Sequence, residues 1–205
     1  MTAGAAQRRA GALLPEFYDR GSAEVARALL GSVVVRETPE GPVSGRIVET
    51  EAYEGADDAA SHAFARTGRT ARNDPLFGAP GTAYIHLNYG IHWCLNAVTG
   101  PVGVPHGVLL RALEPLEGQD LMRDRRSGRP THTSGPGRLS QALAIGPDLQ
   151  RHDLATAPLW IEAGDAIPDS QVLITPRIGI TKAADRLLRF CDGASPWVSK
   201  GSSGR

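Results

Sequence analysis

The stretch VSGRIVETEAY, residues 43–53, reads as a β-strand that carries two carboxylates two residues apart. Strand side chains alternate between faces with period two. Ile47, Glu49, Glu51 and Tyr53 are therefore expected on one face, with Val48, Thr50 and Ala52 on the other. Upstream, SVVVRE (32–37) is β-branched, and TPEGP (38–42) is a turn that joins the two strands. Downstream, GTAYIHLNYGIHWCLNAV (81–98) reads as a hairpin, and GVLLRALEP (107–115), LWIEAG (159–164) and QVLITP (171–176) as further strands. Helices are few and short: AEVARALL (23–30), with Ser22 as N-cap and Gly31 as stop, then 116–126, RLSQALAI (138–145) and KAADRLLRF (182–190). Residues 56–80 and 127–137 read as loops. Many strands and few helices predict an α+β fold, a single domain around a curved antiparallel sheet.

The 205 residues suffice for one domain with a substantial core. Residues 1–13 and the tail KGSSGR (200–205) are expected to fray, leaving 14–199 as the domain. Two cysteines, Cys94 and Cys191, make no disulfide framework, which fits a reducing cytoplasm. No apolar run is long enough for a secretory signal or a membrane span. Formal net charge is zero, from 22 basic and 22 acidic residues, so overall charge decides nothing about a nucleic-acid partner.

The local distribution of charge is less even. The acidic strand and the turn after it hold Glu49, Glu51, Glu54, Asp57, Asp58 and His62. Burial or mutual repulsion raises a carboxylate pKa, as acid–base catalysis requires. The same run is compatible with an exposed face, with a Glu held by an Arg, or with a metal site, although no tight ligand motif such as HExxH is present. Bases gather in two loops: ARTGRTARN (65–73) with Arg66, Arg69 and Arg72 and no acid, and 123–138 with five arginines against Asp124, Arg138 among them. Such runs are either solvated surface or a rim for phosphates. At the hairpin tip Tyr89 precedes Gly90; it either folds back on the sheet or stands out as a wedge that unstacks a base step.

Five ordered stretches, GRIVETEAYEGADDAASHA (45–63), RNDPLFGAPGTAYIHLNYGIHWCLNAV (72–98), GVLLRALEPLEG (107–118), GPGRLSQALAIG (135–146) and ASPWVS (194–199), together with LPEFYDRGSAEVARALLG (14–31), resemble the alkyladenine (3-methyladenine) DNA glycosylase family. The resemblance implies a compact domain whose protruding hairpin enters DNA. It also implies hydrolytic removal of alkylated or deaminated purines flipped out of the duplex, with neither metal nor organic cofactor. By motif, Glu51 is the base that activates water and Arg111 lies near the water and target phosphate; Tyr53, His62, His86 and Asn96 line the base pocket, and Tyr89 fills the gap. Glu49 takes a supporting role. His86 departs from the family pattern, which has Tyr there, stacked on the flipped base. The expected partner is double-stranded DNA with damaged purines, met by a monomer at the bacterial nucleoid. Lyase chemistry needs an amine nucleophile. The only lysines, Lys182 and Lys200, lie outside every site motif, so a monofunctional enzyme is expected. The rival readings are a non-catalytic binder of kinked DNA and a metal-dependent hydrolase.

Overall fold

The computed structural model describes residues 7–64, 66, 68–130 and 133–200. The expected loose ends at 1–6 and 201–205 lie outside the described residues. Within the rest of the N-terminal segment expected to fray, Arg8 and Ala12 bridge to Thr156 and Glu162.

The chain folds as one α+β domain around a curled antiparallel sheet. Nine strands form it: β1 (Val33–Thr38), β2 (Gly41–Tyr53), β3 (Ala83–Asn88), β4 (His92–Thr99), β5 (His106–Pro115), β6 (Ala155–Thr156), β7 (Leu159–Glu162), β8 (Val172–Thr175) and β9 (Arg189–Asp192). The main path runs β3-β4-β5-β2-β1-β7-β6, with β8 and β9 beside it. β2 is the central strand: it pairs with β5 through Gly45–Tyr53, with β1 through residues 41–46, and with β9 through Glu49–Glu51. The helices are short: α1 (Pro15–Tyr18), α2 (Ser22–Ala28), α3 (Gln119–Arg125) and α4 (Pro136–Ala142). Val25, Ala26, Leu29 and Leu30 on and after α2 join Ile47, Ala52, Leu110 and Leu113 in the main core. Burying such aliphatic side chains is worth about 1.5–3 kcal/mol each before entropy is charged against it.

Three expectations need correction. Ser22 does not cap α2; it is the first helical residue, Gly21 occupies the cap position, and the buried Ser22 hydroxyl has no partner. KAADRLLRF is not a helix. Arg189 and Phe190 instead pair across to Glu51 and Thr50 of β2 and to Thr175 and Ile174 of β8, so sheet pairing overrides local propensity. The even alternation of β2 also breaks. Ile47 faces Leu113 and Glu49 faces Ala112, leaving Val48 unmatched; Thr50 faces Leu110, leaving Arg111 unmatched. A bulge re-aims the side chains beyond it. Ile47 thus lies in the core with Ala52, while Thr50 donates to the Ala26 carbonyl at 2.8 Å, and Glu49 and Glu51 face away from that core.

Candidate active site

The two bulges set Glu49, Glu51 and Arg111 together on the sheet face opposite α2. All three are buried, both glutamates at 0 % exposure and Arg111 at 7 %. Charges taken out of water are tolerated only when paired and hydrogen-bonded. Glu49 meets that condition with four donors: Arg111 Nε at 2.9 Å, Arg189 Nε at 2.7 Å, the Ser199 N–H at 2.7 Å and the Ser199 hydroxyl at 2.8 Å. Burial alone would push its carboxyl up, but Arg111 and Arg189 outweigh burial and hold it below the ordinary range. Glu49 therefore stays ionised and fully occupied, a strut between β2, β5, β9 and the C-terminal segment.

Glu51 is held differently. Its Oε1 accepts the Ile178 N–H at 2.7 Å and lies 3.2 Å from the Arg111 guanidinium, and its Oε2 accepts the Tyr53 hydroxyl at 2.9 Å. Burial, followed by the neighbouring Glu51 charge, pushes the Tyr53 phenol far up, so Tyr53 remains a donor. Arg177 lies over the Tyr53 ring, 4.6 Å from its centre, and makes a fully buried two-point ion pair with Asp58 at 2.5 and 2.8 Å. Asp58 also accepts the Glu54 and Ala60 N–H groups, so this acid anchors a loop. Asp57 is exposed. Among the described residues no three His, Cys, Asp or Glu side chains converge as a metal-ligand set.

Above this layer opens a cavity of about 230 Å³, lined by Tyr53, His62, His86, Asn96 and Arg111 among others and bounded by Tyr89 and Ile178–Ile180. Glu51 is not part of the lining; it sits behind Tyr53 and Arg111, which are. Asn96 on β4 donates to the Tyr84 carbonyl at 3.0 Å and lies 3.0 Å from His86 Nδ1. The His86 ring stacks on Tyr84 (5.2 Å, 28°) and stands edge-on to His62 (4.5 Å, 89°). Burial first, then His62 and Arg72, pushes the His86 imidazole down to about 3, and burial also lowers His62. Both rings are therefore neutral near pH 7. Burial raises the Cys94 thiol to about 11, so this cavity cysteine stays protonated.

The turn between β3 and β4 lies at the cavity edge, with Asn88 and Tyr89 among its lining residues. Asn88 pairs with His92, and Tyr89 and Gly90 between them both have positive φ, +50° and +70°. Glycine takes such a backbone freely, whereas a tyrosine there is uncommon. Tyr89 does not fold back on the sheet: it is 78 % exposed, and its neighbour Ile91 71 %.

A second, open groove shares Asn88, Tyr89, Cys94, Arg111 and Pro136 with the cavity and continues past Arg126, Arg129 and Arg138 to Ser199 and Lys200. None of its lining residues is acidic. Burial, then Arg138 and Arg129, lowers the Arg126 pKa, as expected where cations crowd. The other two arginines of that run are committed elsewhere, Arg123 to Asp120 at 2.8 Å and Arg125 to Glu40 at 2.9 Å. In the 65–73 run, Arg69 pairs with Asp74 at 2.5 Å and lies over Phe77, and Arg72 donates to the Leu87 carbonyl at 2.9 Å. Arg66 is exposed.

The site residues expected from the sequence fall into one neighbourhood, with Arg72 close enough to lower the His62 and His86 imidazoles, while Arg66 and Arg69 line neither cavity nor groove. Sequence reasoning missed Arg177, Arg189, the Ile178 N–H and the Ser199 contacts. The only available signal was that two buried carboxylates demand cations, without saying which of 20 arginines supply them.

The sequence pattern described as methylpurine-DNA glycosylase (MPG) matches residues 16–196. A relative from Methanocella arvoryzae is 46% identical over 196 residues, 92% of this chain and 96% of its own. One from Chlorobaculum parvum is 45% identical over 187 residues (90% and 88%), and one from Salinibacter ruber 44% over 197 residues (91% and 95%). All three are named, provisionally, as 3-methyladenine DNA glycosylases.

Proposed function

The chain belongs to the methylpurine-DNA glycosylase family, and from that premise we propose that it flips alkylated or deaminated purines from duplex DNA and hydrolyses their N-glycosidic bond with water activated by Glu51. The observation that carries this reading is the proximity of three parts: a buried Glu51, a cavity lined by its partners Tyr53 and Arg111, and an exposed Tyr89 at the cavity edge. A base within a duplex cannot be reached by a catalytic group, so the nucleotide must leave the stack, and an aromatic in the vacancy holds it out. As the C1′–N9 bond breaks, its electron pair leaves with the base and the sugar gains oxocarbenium character. The water oxygen bonds C1′, and its proton passes to Glu51. Water reaches Glu51 past Tyr53 and Arg111 in the substrate complex, since catalytic contacts often tighten only with substrate bound.

Arg111 serves both regions, since it lines cavity and groove and touches both glutamates. Glu49 positions it by holding Nε. Tyr53, His62, His86 and Asn96 form the walls around the base. Arg126, Arg129 and Arg138, which line the groove, contact phosphates, a role that extends less readily to Arg69 and Arg72 because neither lines it. Among the described residues no lysine lines the cavity, Lys200 lying in the groove, which supports a monofunctional enzyme.

One experiment tests the reading against its rivals: excision from a damaged duplex with and without a chelator, with borohydride added in a parallel reaction. Chelator-resistant excision without a trapped protein–DNA adduct is expected. Loss of excision with chelator points to metal chemistry, a trapped adduct to an amine nucleophile, and binding without excision to a non-catalytic module.

A further inference from the structure

The hydrogen-bond chain behind the cavity wall fixes the state of His86. The Tyr84 backbone carbonyl can only accept, so the Asn96 atom 3.0 Å from it is the amide nitrogen. That same nitrogen lies 3.0 Å from His86 Nδ1, and it can only donate there. Nδ1 must therefore be the acceptor, and the ring proton of a neutral imidazole must sit on Nε2. The arrangement is rigid, because Tyr84 and Asn96 are direct cross-strand partners in the β3–β4 hairpin and the ring is braced by Tyr84 and His62. Among the described residues Nε2 has no hydrogen-bond partner, and it is not a buried orphan; His86 lines the cavity, so this atom is the one left facing the void.

We propose that His86, locked as the Nε2–H tautomer by Asn96, offers the flipped base a hydrogen-bond donor and thereby selects purines that present an acceptor there, the 6-oxopurines such as hypoxanthine, over 6-aminopurines such as 3-methyladenine. This rests on the glycosylase reading above. A donor aimed at a carbonyl oxygen gains a bond in a dry pocket; the same donor aimed at an amino group leaves two donors unpaired, which is the costlier outcome.

The test has two arms. Nitrogen-15 spectra of the imidazoles at neutral pH should show His86 with an unprotonated Nδ1 and a protonated Nε2; the opposite tautomer overturns the proposal. Single-turnover excision is then compared on a hypoxanthine duplex and on methylated DNA containing 3-methyladenine. His86→Phe keeps a ring and removes the donor, and should lower the hypoxanthine-to-3-methyladenine ratio about tenfold. His86→Gln, whose amide N–H can occupy the Nε2 position, should recover part of that ratio. Melting temperatures and binding to abasic DNA verify that each variant is folded; a ratio unchanged in a folded His86→Phe overturns the proposal. Wild-type protein that excises neither base would instead defeat the glycosylase reading itself.

Discussion

The enclosed cavity and the open groove beside it share a wall yet handle charge in opposite ways. Beneath the cavity every charged group is paired: Glu49 with Arg111 and Arg189, Glu51 with Arg111, Asp58 with Arg177. Along the groove Arg126, Arg129 and Lys200 meet no acidic side chain among its described lining residues. Paired charges in a dry site hold geometry and are preorganised for a reaction. Cations without acids await an anion from outside, and phosphates supply it with release of counterions. The difference teaches that a net charge of zero conceals an uneven distribution; under the proposed function it divides labour, chemistry inside and positioning outside.

The sharpest way to break this comparison is to remove a charge from each side. Glu51→Gln keeps the shape of the cavity and loses the base, so single-turnover excision should fall by about 10²–10⁴-fold while lesion-DNA affinity changes little. Near-normal excision would move the chemistry out of the cavity. Glu49→Gln should act first on the fold, because it leaves Arg111 and Arg189 buried with half their partner gone. A loss of about 3–5 kcal/mol in denaturant unfolding is expected. The pH sign follows from its depressed pKa. The Glu49 contribution is complete above the unfolded carboxylate value of about 4.3 and drains away as pH falls toward the lower folded value. Acid unfolding of Glu49→Gln should accordingly be shallower than that of the wild type below about pH 4.

At the boundary between the regions, Tyr89→Ala should slow excision from a fully paired duplex about tenfold, the loss of one base–aromatic stack. The effect should shrink opposite a mismatch, where the nucleotide already leaves the stack cheaply. Its melting temperature should stay near wild type, since an exposed side chain buries little area; a clear drop would show that Tyr89 is structural.

The groove side predicts smaller, sequence-blind effects. Arg129→Ala or Arg126→Ala should weaken damaged and undamaged duplexes alike and flatten the log–log salt slope by about 0.9. A variant that lost only lesion preference would place that arginine in the cavity. Arg69→Ala should leave the salt slope almost unchanged, because its charge is already met by Asp74. A full unit of slope lost at Arg69 would erase the distinction between the two basic runs.

Read alone, the sequence indicated an α+β fold around an antiparallel sheet and a hairpin over 81–98, and the family resemblance singled out Glu51, Tyr53, His62, His86, Asn96 and Arg111, which the structure brings near one another. The strand and hairpin signals are local, resting on period-two patterning and turn residues written in consecutive positions. Tertiary structure alone decided the rest. The paired irregularities at Val48 and Arg111 separate Ile47 from the glutamates, and a bulge depends on how two distant strands register. Residues 189–190 became strand because β2 and β8 offered partners that local propensity could not count. Which arginine neutralises Glu49, and which remain for the groove, is a matter of three-dimensional proximity across some 140 residues of chain, as for Arg189. Charge pairing is non-local, so twenty arginines look alike in sequence until folding gives each its neighbours.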